Sequence, residues 1–219
     1  MSSKIVLAIN GSPRRKGNTA ELLNHALRGA ADAGAATEIV HLYTLNFKGC
    51  ISCFSCKRKD KEHGICAMKD ELSPVLEHVK EVDAVLFGSP IYFMNITSGL
   101  TACIERLFFS NYLYSNEIPT VFPKKLPSAY VYTMNMTEEH VRQYHMKERL
   151  HNLEFCAAQF FRVPPRTLWA YDTYQFKDYS QYESSIFSEP AKAAWREKHW
   201  PEQCQEAYDL GKSLAEWQE

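Results

Sequence analysis

The sequence predicts an α/β protein built on a doubly wound, five-stranded parallel sheet with helices on both faces. Five short apolar runs alternate with longer segments in which apolar residues recur at three- and four-residue spacing. The first and third runs each end at a glycine or proline and lead into a loop with binding chemistry. In such sheets, ligands bind at the carboxyl ends of the strands.

The predicted strands are short and rich in aliphatic, β-branched and aromatic residues. The run KIVLAIN ends at Gly11 and is typical of a buried parallel strand. Pro90 stops the third run, because proline lacks the backbone N–H that continues a sheet ladder. The predicted strands are residues 4–10, 36–43, 84–90, 127–134 and 166–171.

Helical periodicity separates these strands. Gly34 stands where a helix begun at Asn18 typically ends, and Asp70 is the predicted N-cap of the next helix. Glu138 and Glu139 favour the start of a long fourth helix. The predicted helices are residues 18–34, 70–82, 98–112, 137–161 and 190–217, with Pro201 as a candidate break in the last.

The composition excludes several classes of partner. The 219 residues are 45% hydrophobic and 23% charged, which is typical of a globular chain. A formal net charge of -1 argues against a nucleic-acid or membrane surface. The N-terminus lacks the apolar core of a signal peptide, and seven cysteines argue against a disulfide scaffold. We therefore expect a cytoplasmic protein with no nucleic-acid and no membrane partner.

The loop GSPRRKGNT, residues 11–19, lies between the first predicted strand and the first helix. This position offers unpaired backbone N–H groups and the positive end of the helix dipole. Two glycines, short polar side chains and three cations predict a phosphate-binding loop; an ordinary capped turn is the alternative. The loop matches neither the nucleoside-triphosphate motif, which needs lysine where Asn18 stands, nor the dinucleotide fingerprint.

The loop GSPIYFMNITSGL, residues 88–100, follows the third predicted strand. Ile91, Tyr92 and Phe93 would lie near the same crevice, where apolar side chains and free backbone amides suit a flat heteroaromatic ring. Taken alone, this loop is better interpreted as a packed core turn.

Together, GSPRRKGNT and AVLFGSPIYF resemble the flavodoxin-like NAD(P)H-dependent oxidoreductase superfamily, which includes FMN reductases and iron–sulfur flavoproteins. The resemblance covers about residues 4–135. It implies a flavodoxin-like sheet of order 2-1-3-4-5 with FMN where the strand order reverses. We expect one FMN-binding domain over residues 1–219, with an aromatic-rich C-terminal extension from about residue 172.

The resemblance assigns residues of this chain to each part of FMN. The backbone N–H groups of the loop after the third strand would face the flavin N5 and carbonyl edge. The assigned residues are Ser12, Arg14, Gly17, Asn18 and Thr19 around the phosphate, Pro90, Ile91, Tyr92 and Phe93 beside the isoalloxazine, and Thr133, Met134 and Asn135 on its other side.

The activity implied is that of an FMN-dependent NAD(P)H oxidoreductase, passing electrons from a nicotinamide to an unidentified small-molecule or protein acceptor. The alternatives are an iron–sulfur flavoprotein in ferredoxin-linked electron transfer and a non-enzymatic flavin-binding module. Because the chemistry belongs to the flavin, no catalytic residue is assigned. The resemblance and the aromatic-rich residues 169–200 favour a homodimer or homotetramer.

Four of the seven cysteines lie in GCISCFSCKRKDKEHGIC, residues 49–66. Iron–sulfur flavoproteins carry a compact four-cysteine run here that holds a [4Fe–4S] cluster close to the flavin, which makes Cys50, Cys53, Cys56 and Cys66 candidate ligands. The nine-residue step before Cys66 departs from that spacing, although a loop absorbs extra length at little entropic cost. Of the three possible states of these cysteines, we favour free thiols first, a [4Fe–4S] cluster second and a zinc site third.

Overall fold

The computed structural model describes residues 3–219 and confirms the predicted sheet. All five strands are parallel, in the order β2-β1-β3-β4-β5. The order reverses between β1 and β3, so the connections leave in opposite directions there and open a crevice at the carboxyl ends. The strands are β1 (Ile5–Asn10), β2 (Ala36–His41), β3 (Ala84–Pro90), β4 (Ser128–Thr133) and β5 (Arg166–Ala170).

The strand register brings the two predicted cofactor loops to one edge of the sheet. Asn10 at the end of β1 lies opposite Gly88, and Pro90 at the end of β3 lies opposite Thr133. The strands β1, β3 and β4 are buried almost throughout, since helices cover both faces of the sheet.

Two hydrophobic clusters divide the helices between the faces. One packs α2, α3 and α5 against the sheet, and the other packs α1 and α6 against the opposite face. Among residues 3–219, no helix is both long and apolar enough to cross a bilayer. The helices are α1 (Asn18–Asp32), α2 (Ser73–His78), α3 (Ser98–Asn111), α4 (Glu138–Gln143), α5 (Met146–Phe161) and α6 (Glu189–Ala215).

Two helix predictions were wrong in extent. The helix predicted over residues 70–82 is only α2. One carboxylate oxygen of Asp70 accepts the Leu72 N–H and fixes the turn that precedes this helix, and the other binds Arg106. The long helix predicted over residues 137–161 is split into α4 and α5. His145, with a φ of 52°, adopts the left-handed conformation that a right-handed helix cannot include.

Helix α6 runs unbroken through Pro201 because its packing against α1 holds it on both sides of the proline. A Cβ at Gly211 would lie 1.8 Å from the Ala26 carbonyl oxygen, so the two backbones touch where the helices cross. Trp200 is buried in this contact and donates to Glu21 across it. This tryptophan, which we expected among interface anchors, therefore packs on its own chain.

Candidate cofactor site

The start of the loop after β1 is held by side chains. The buried Asn10 side chain accepts the Ser12 N–H at 2.9 Å and lies 2.9 Å from His41 Nδ1. Ser12 Oγ accepts the Arg14 N–H at 3.1 Å. Burial and the nearby Arg15 lower the pKa of His41, so its Nδ1 accepts from the Asn10 amide at neutral pH.

The two cofactor loops are hydrogen-bonded to each other through Gly11. Its N–H donates to the Gly88 carbonyl at 2.8 Å, and its carbonyl accepts from Thr97 Oγ1 at 2.7 Å. A Cβ at Gly11 would lie 2.7 Å from Leu100 Cβ, closer than side chains pack. Thr97 also caps α3 by accepting the Leu100 N–H. The glycine is therefore required by the close approach of the loops.

The N-terminus of α1 presents free donors. Gly17 precedes the helix and provides no side-chain cap. Within residues 3–219, no protein acceptor bonds the backbone N–H groups of Asn18, Thr19 and Ala20. Uncapped N–H groups at a helix N-terminus favour an anion, so this end of α1 fits the phosphate of FMN.

Two side chains assigned to the phosphate are bonded to the segment after β5. The Arg14 guanidinium donates to the Gln175 carbonyl at 2.8 Å, and the Asn18 amide donates to the Tyr174 carbonyl at 3.0 Å. The Asn18 side-chain oxygen accepts from Arg196 of α6 at 3.1 Å. These contacts frame a cleft of about 770 Å³. Its charged residues are Arg14, Lys16, Lys177 and Arg196 against Glu21 and Asp178.

Thr19 and Thr133 form a buried contact below the phosphate loop. Their hydroxyl oxygens are 2.7 Å apart, and the residues are only 2% and 3% exposed. The contact joins the first turn of α1 to the end of β4. Both hydroxyls, which we expected beside the cofactor, are thus engaged with each other.

The loop after β3 uses two of the amides that we expected to face the flavin. The Ile91 N–H donates to the Thr133 carbonyl and the Tyr92 N–H to the Asn95 carbonyl, each at 2.8 Å. The prediction was therefore wrong for these two N–H groups, because the loop closes a turn on itself and on β4.

The tip of this loop carries the free donors instead. Phe93 and Met94 have φ values of 48° and 66°, in the left-handed region that non-glycine residues seldom adopt. No acceptor among residues 3–219 bonds their N–H groups, and the Phe93 ring is fully exposed. Such strained positions cluster at ligand sites.

The loop after β4 contributes less than predicted. Met134 is buried in the core, its N–H donates to Ala170 and its carbonyl accepts from Thr173, so both of its backbone polar groups are engaged. Any contact of Met134 with the cofactor would therefore come from its side chain. The side-chain oxygen of Asn135 is buried without a partner among residues 3–219, so Asn135 remains a candidate contact.

All four cysteines of residues 49–66 line one cavity beside α3, together with Met68, Arg106 and Phe109. Arg106 follows Ser98 by eight residues, which places it about 12 Å along the helix from the end that abuts the flavin loops. The cysteine loop therefore runs along the middle of α3. We had expected it at the rim of the flavin site.

The loop backbone is bent so that its cysteines share this cavity. Ser52 and Phe54 both have left-handed φ values, 52° and 55°, each costing about 1–2 kcal/mol. The Cys53 side chain is exposed and that of Cys56 is buried. Burial raises the pKa of the Cys56 thiol, and the neighbouring Lys57 offsets only part of that rise.

The four thiols are not arranged as a preformed tetrahedral zinc site. Around tetrahedral zinc, thiolates at 2.3 Å from the metal lie about 3.8 Å from one another. Among residues 3–219, no three of these four thiols lie within 4.8 Å of one another. Four cysteine thiolates are the ligand set of a [4Fe–4S] cluster. The free space at the centre is about 20 Å³, so loading a cluster requires the thiols, including the exposed Cys53, to spread outward.

A buried arginine, which the sequence analysis overlooked, completes the cavity. Arg106 Nη1 donates to Asp70 at 2.6 Å and to the Lys48 carbonyl at 3.2 Å. Burial acts to lower the pKa of Arg106, but Asp70 and the Cys66 side chain raise it, so the guanidinium remains charged. Although burial opposes it, the hydrogen bond from Arg106 lowers the pKa of the Asp70 carboxyl.

A second group of ligand-type side chains joins α1 to α6. Single donor atoms of Glu21, His25 and Cys204 lie within 4.8 Å of one another. The Glu21 carboxylate already binds Trp200 and Arg196, and another arginine contacts the His25 ring. Two guanidinium groups beside these side chains would repel a bound cation. We therefore interpret Glu21, His25 and Cys204 as part of the packing between α1 and α6.

Comparison with known proteins identifies the family of this chain. Residues 5–158 match the model of the family described as NADPH-dependent FMN reductase. An iron–sulfur flavoprotein of Methanocaldococcus jannaschii is 37% identical over 101 residues, which are 46% of this chain and 50% of that protein. The matched region thus spans about half the length of such curated relatives.

Two solved structures share the whole architecture. An NAD(P)H:quinone oxidoreductase from Methanothermobacter marburgensis superposes with a TM-score of 0.70 at 16% identity, covering 100% of both chains. An azoreductase from Bacillus anthracis gives a TM-score of 0.68 at 16% identity, covering 96% of this chain and 99% of that one. At these identities the likeness establishes the fold.

Proposed function

Because the chain belongs to the NADPH-dependent FMN reductase family, we propose that it is an FMN-dependent NAD(P)H oxidoreductase. It would pass electrons from a nicotinamide to a small-molecule or protein acceptor. When bound, FMN supplies the hydride and electron-transfer chemistry. The observation that carries the proposal is the row of free N–H groups at Asn18, Thr19 and Ala20, where the strand order reverses.

The chain's own residues would bind and orient the cofactor. The N-terminus of α1 would hold the phosphate, and the surrounding cations would balance its charge. The free amides of Phe93 and Met94 would donate to the polar edge of the ring, and Asn135 would complete the other side. No proton transfer by a side chain is required.

The acceptor would be a flat aromatic molecule of the quinone type. Tyr92 and Phe93 support this inference, since both are exposed at the tip of the loop that would carry the flavin. Aromatic side chains stack on planar rings with little conformational cost. The quinone oxidoreductase and azoreductase that share the fold act, by their names, on planar conjugated molecules.

An FMN titration of the apoprotein tests the phosphate site. We expect Asn18→Asp to weaken binding at least about tenfold, or about 1.4 kcal/mol, because a carboxylate would face the phosphate. The loss of affinity should be smaller than the charge repulsion alone would give, because the introduced carboxylate would also pair with Arg196. Asn24→Asp, the same change at an exposed position of α1, is the matched control. Equal affinity of both variants would place the phosphate elsewhere.

A second candidate function is that of an iron–sulfur flavoprotein, with a [4Fe–4S] cluster on Cys50, Cys53, Cys56 and Cys66. The specific observation in its favour is the common cavity of the four thiols, which are the donor set that such a cluster takes. Iron and acid-labile sulfide in anaerobically purified protein test it. Cys66→Ser should lower both, whereas Cys156→Ser, at an exposed thiol outside the cavity, should leave them unchanged.

We also infer that residues 1–219 form one FMN-binding domain and that the chain assembles as a homodimer or homotetramer. The direct packing of α6 on α1 supports the first inference. Exposed apolar side chains, Ile51 and Phe54 in the cysteine loop and Phe155 on α5, support the second. Light scattering of the FMN-loaded protein would measure the assembly.

A further inference from the structure

Arg106 is the largest fully buried side chain among residues 3–219, with none of its side chain exposed. Arginine is almost never fully buried unless its charge and its N–H groups are paired. Each of its five N–H donors therefore requires an acceptor.

The terminal nitrogens of Arg106 fix both flanks of the cysteine loop. Nη1 bonds Asp70 and the Lys48 carbonyl, two residues before Cys50. Nη2 lies 3.5 Å from both the Met68 carbonyl, two residues after Cys66, and Ser73 Oγ. These contacts account for a purely structural role and leave one donor unused.

The unused donor is Nε. It is buried and has no partner among residues 3–219. Arg106 lines the cavity that Cys50, Cys53, Cys56 and Cys66 share. A buried donor without an acceptor is costly, and such a group in a native structure commonly marks a missing ligand.

We propose that Arg106 is a positioning residue whose Nε–H donates to a sulfur of the cluster held by these four cysteines and thereby raises the cluster's reduction potential. The inference rests on the second candidate function above. Hydrogen bonds to cluster sulfurs are among the groups that set such potentials, because they stabilise the more negative, reduced form.

The test is a midpoint-potential titration of the holoprotein, followed by optical and electron paramagnetic resonance spectra. Arg106→Lys keeps the charge and removes Nε–H. We expect it to disfavour the reduced cluster about tenfold, which for one electron is about 59 mV. Lys80→Met is the matched control, since Lys80 also anchors this loop, through the Gly64 carbonyl at 2.7 Å, without lining the cavity.

A second variant keeps the proposal testable if Arg106→Lys does not assemble a cluster. Asp70→Asn removes the negative partner and leaves Nε–H in place, so the potential should rise. An unchanged potential in an iron-loaded Arg106→Lys protein, or no rise in Asp70→Asn, would overturn the proposal. Iron-free wild-type protein would overturn it together with the second candidate function, whereas failed FMN binding would refute the primary one.

Discussion

The buried hydroxyl pair of Thr19 and Thr133 gives the sharpest prediction about how the phosphate helix is fixed to the sheet. Thr133→Val keeps the side-chain shape and removes one hydroxyl. The Thr19 hydroxyl, 2.7 Å away and 2% exposed, then loses its partner in a site closed to water. An unsatisfied buried polar group costs about 1–3 kcal/mol, so the free energy of unfolding should fall by that amount.

The double variant separates the interaction energy of the two hydroxyls from the effect of each substitution on packing. Replacing both threonines with valine removes donor and acceptor together, which is nearly neutral for groups of the same shape. Urea denaturation of the apoprotein should therefore give a coupling energy of about 1–3 kcal/mol, with the double variant more stable than the sum of the single changes predicts. Additive effects, within about 0.5 kcal/mol, would refute the reasoning.

Two further predictions concern stability. Burial raises the pKa of Glu154 above its ordinary 4.5, and its bond with the Tyr132 hydroxyl only partly offsets this. The folded protein therefore holds that proton more tightly than the unfolded chain, and this contribution is complete below pH 4.5 and lost as the pH rises through the folded pKa. Glu154→Gln should stabilise the protein at pH 7 and have no effect near pH 4; equal effects in urea titrations at both pH values would contradict this. Gly11→Ala should cost about 1–3 kcal/mol, because the new Cβ would meet Leu100 Cβ at 2.7 Å, and an unchanged melting curve would argue against the tight contact.

The fold could be predicted because its signals are local. Each strand is a short apolar run with a clear stop, such as Gly11 or Pro90, and the two loops that follow carry the family resemblance. The split between α4 and α5 was missed because His145 takes a left-handed conformation with no glycine or proline to mark it. Its conformation depends on tertiary packing, which overrides local propensity.

The site was predicted less completely because much of it comes from distant parts of the chain. Arg196 contacts Asn18 across 178 residues, and no local pattern announces that pairing. Arg106 lies among apolar residues of a helix, where a charge is usually assumed to reach solvent. The helical spacing could have predicted its burial. Arg106 lies three residues after Cys103 and four before Ser110, on the inward face of α3.

The proposal that this chain is an FMN-dependent NAD(P)H oxidoreductase is tested most directly by anaerobic reduction of its bound flavin. Protein loaded with FMN is mixed with NADPH, and in parallel with NADH, while the visible flavin absorption is recorded. We predict that at least one nicotinamide bleaches the band within seconds and that a quinone restores it. A flavin that binds tightly and stays oxidised with both nicotinamides would contradict the account.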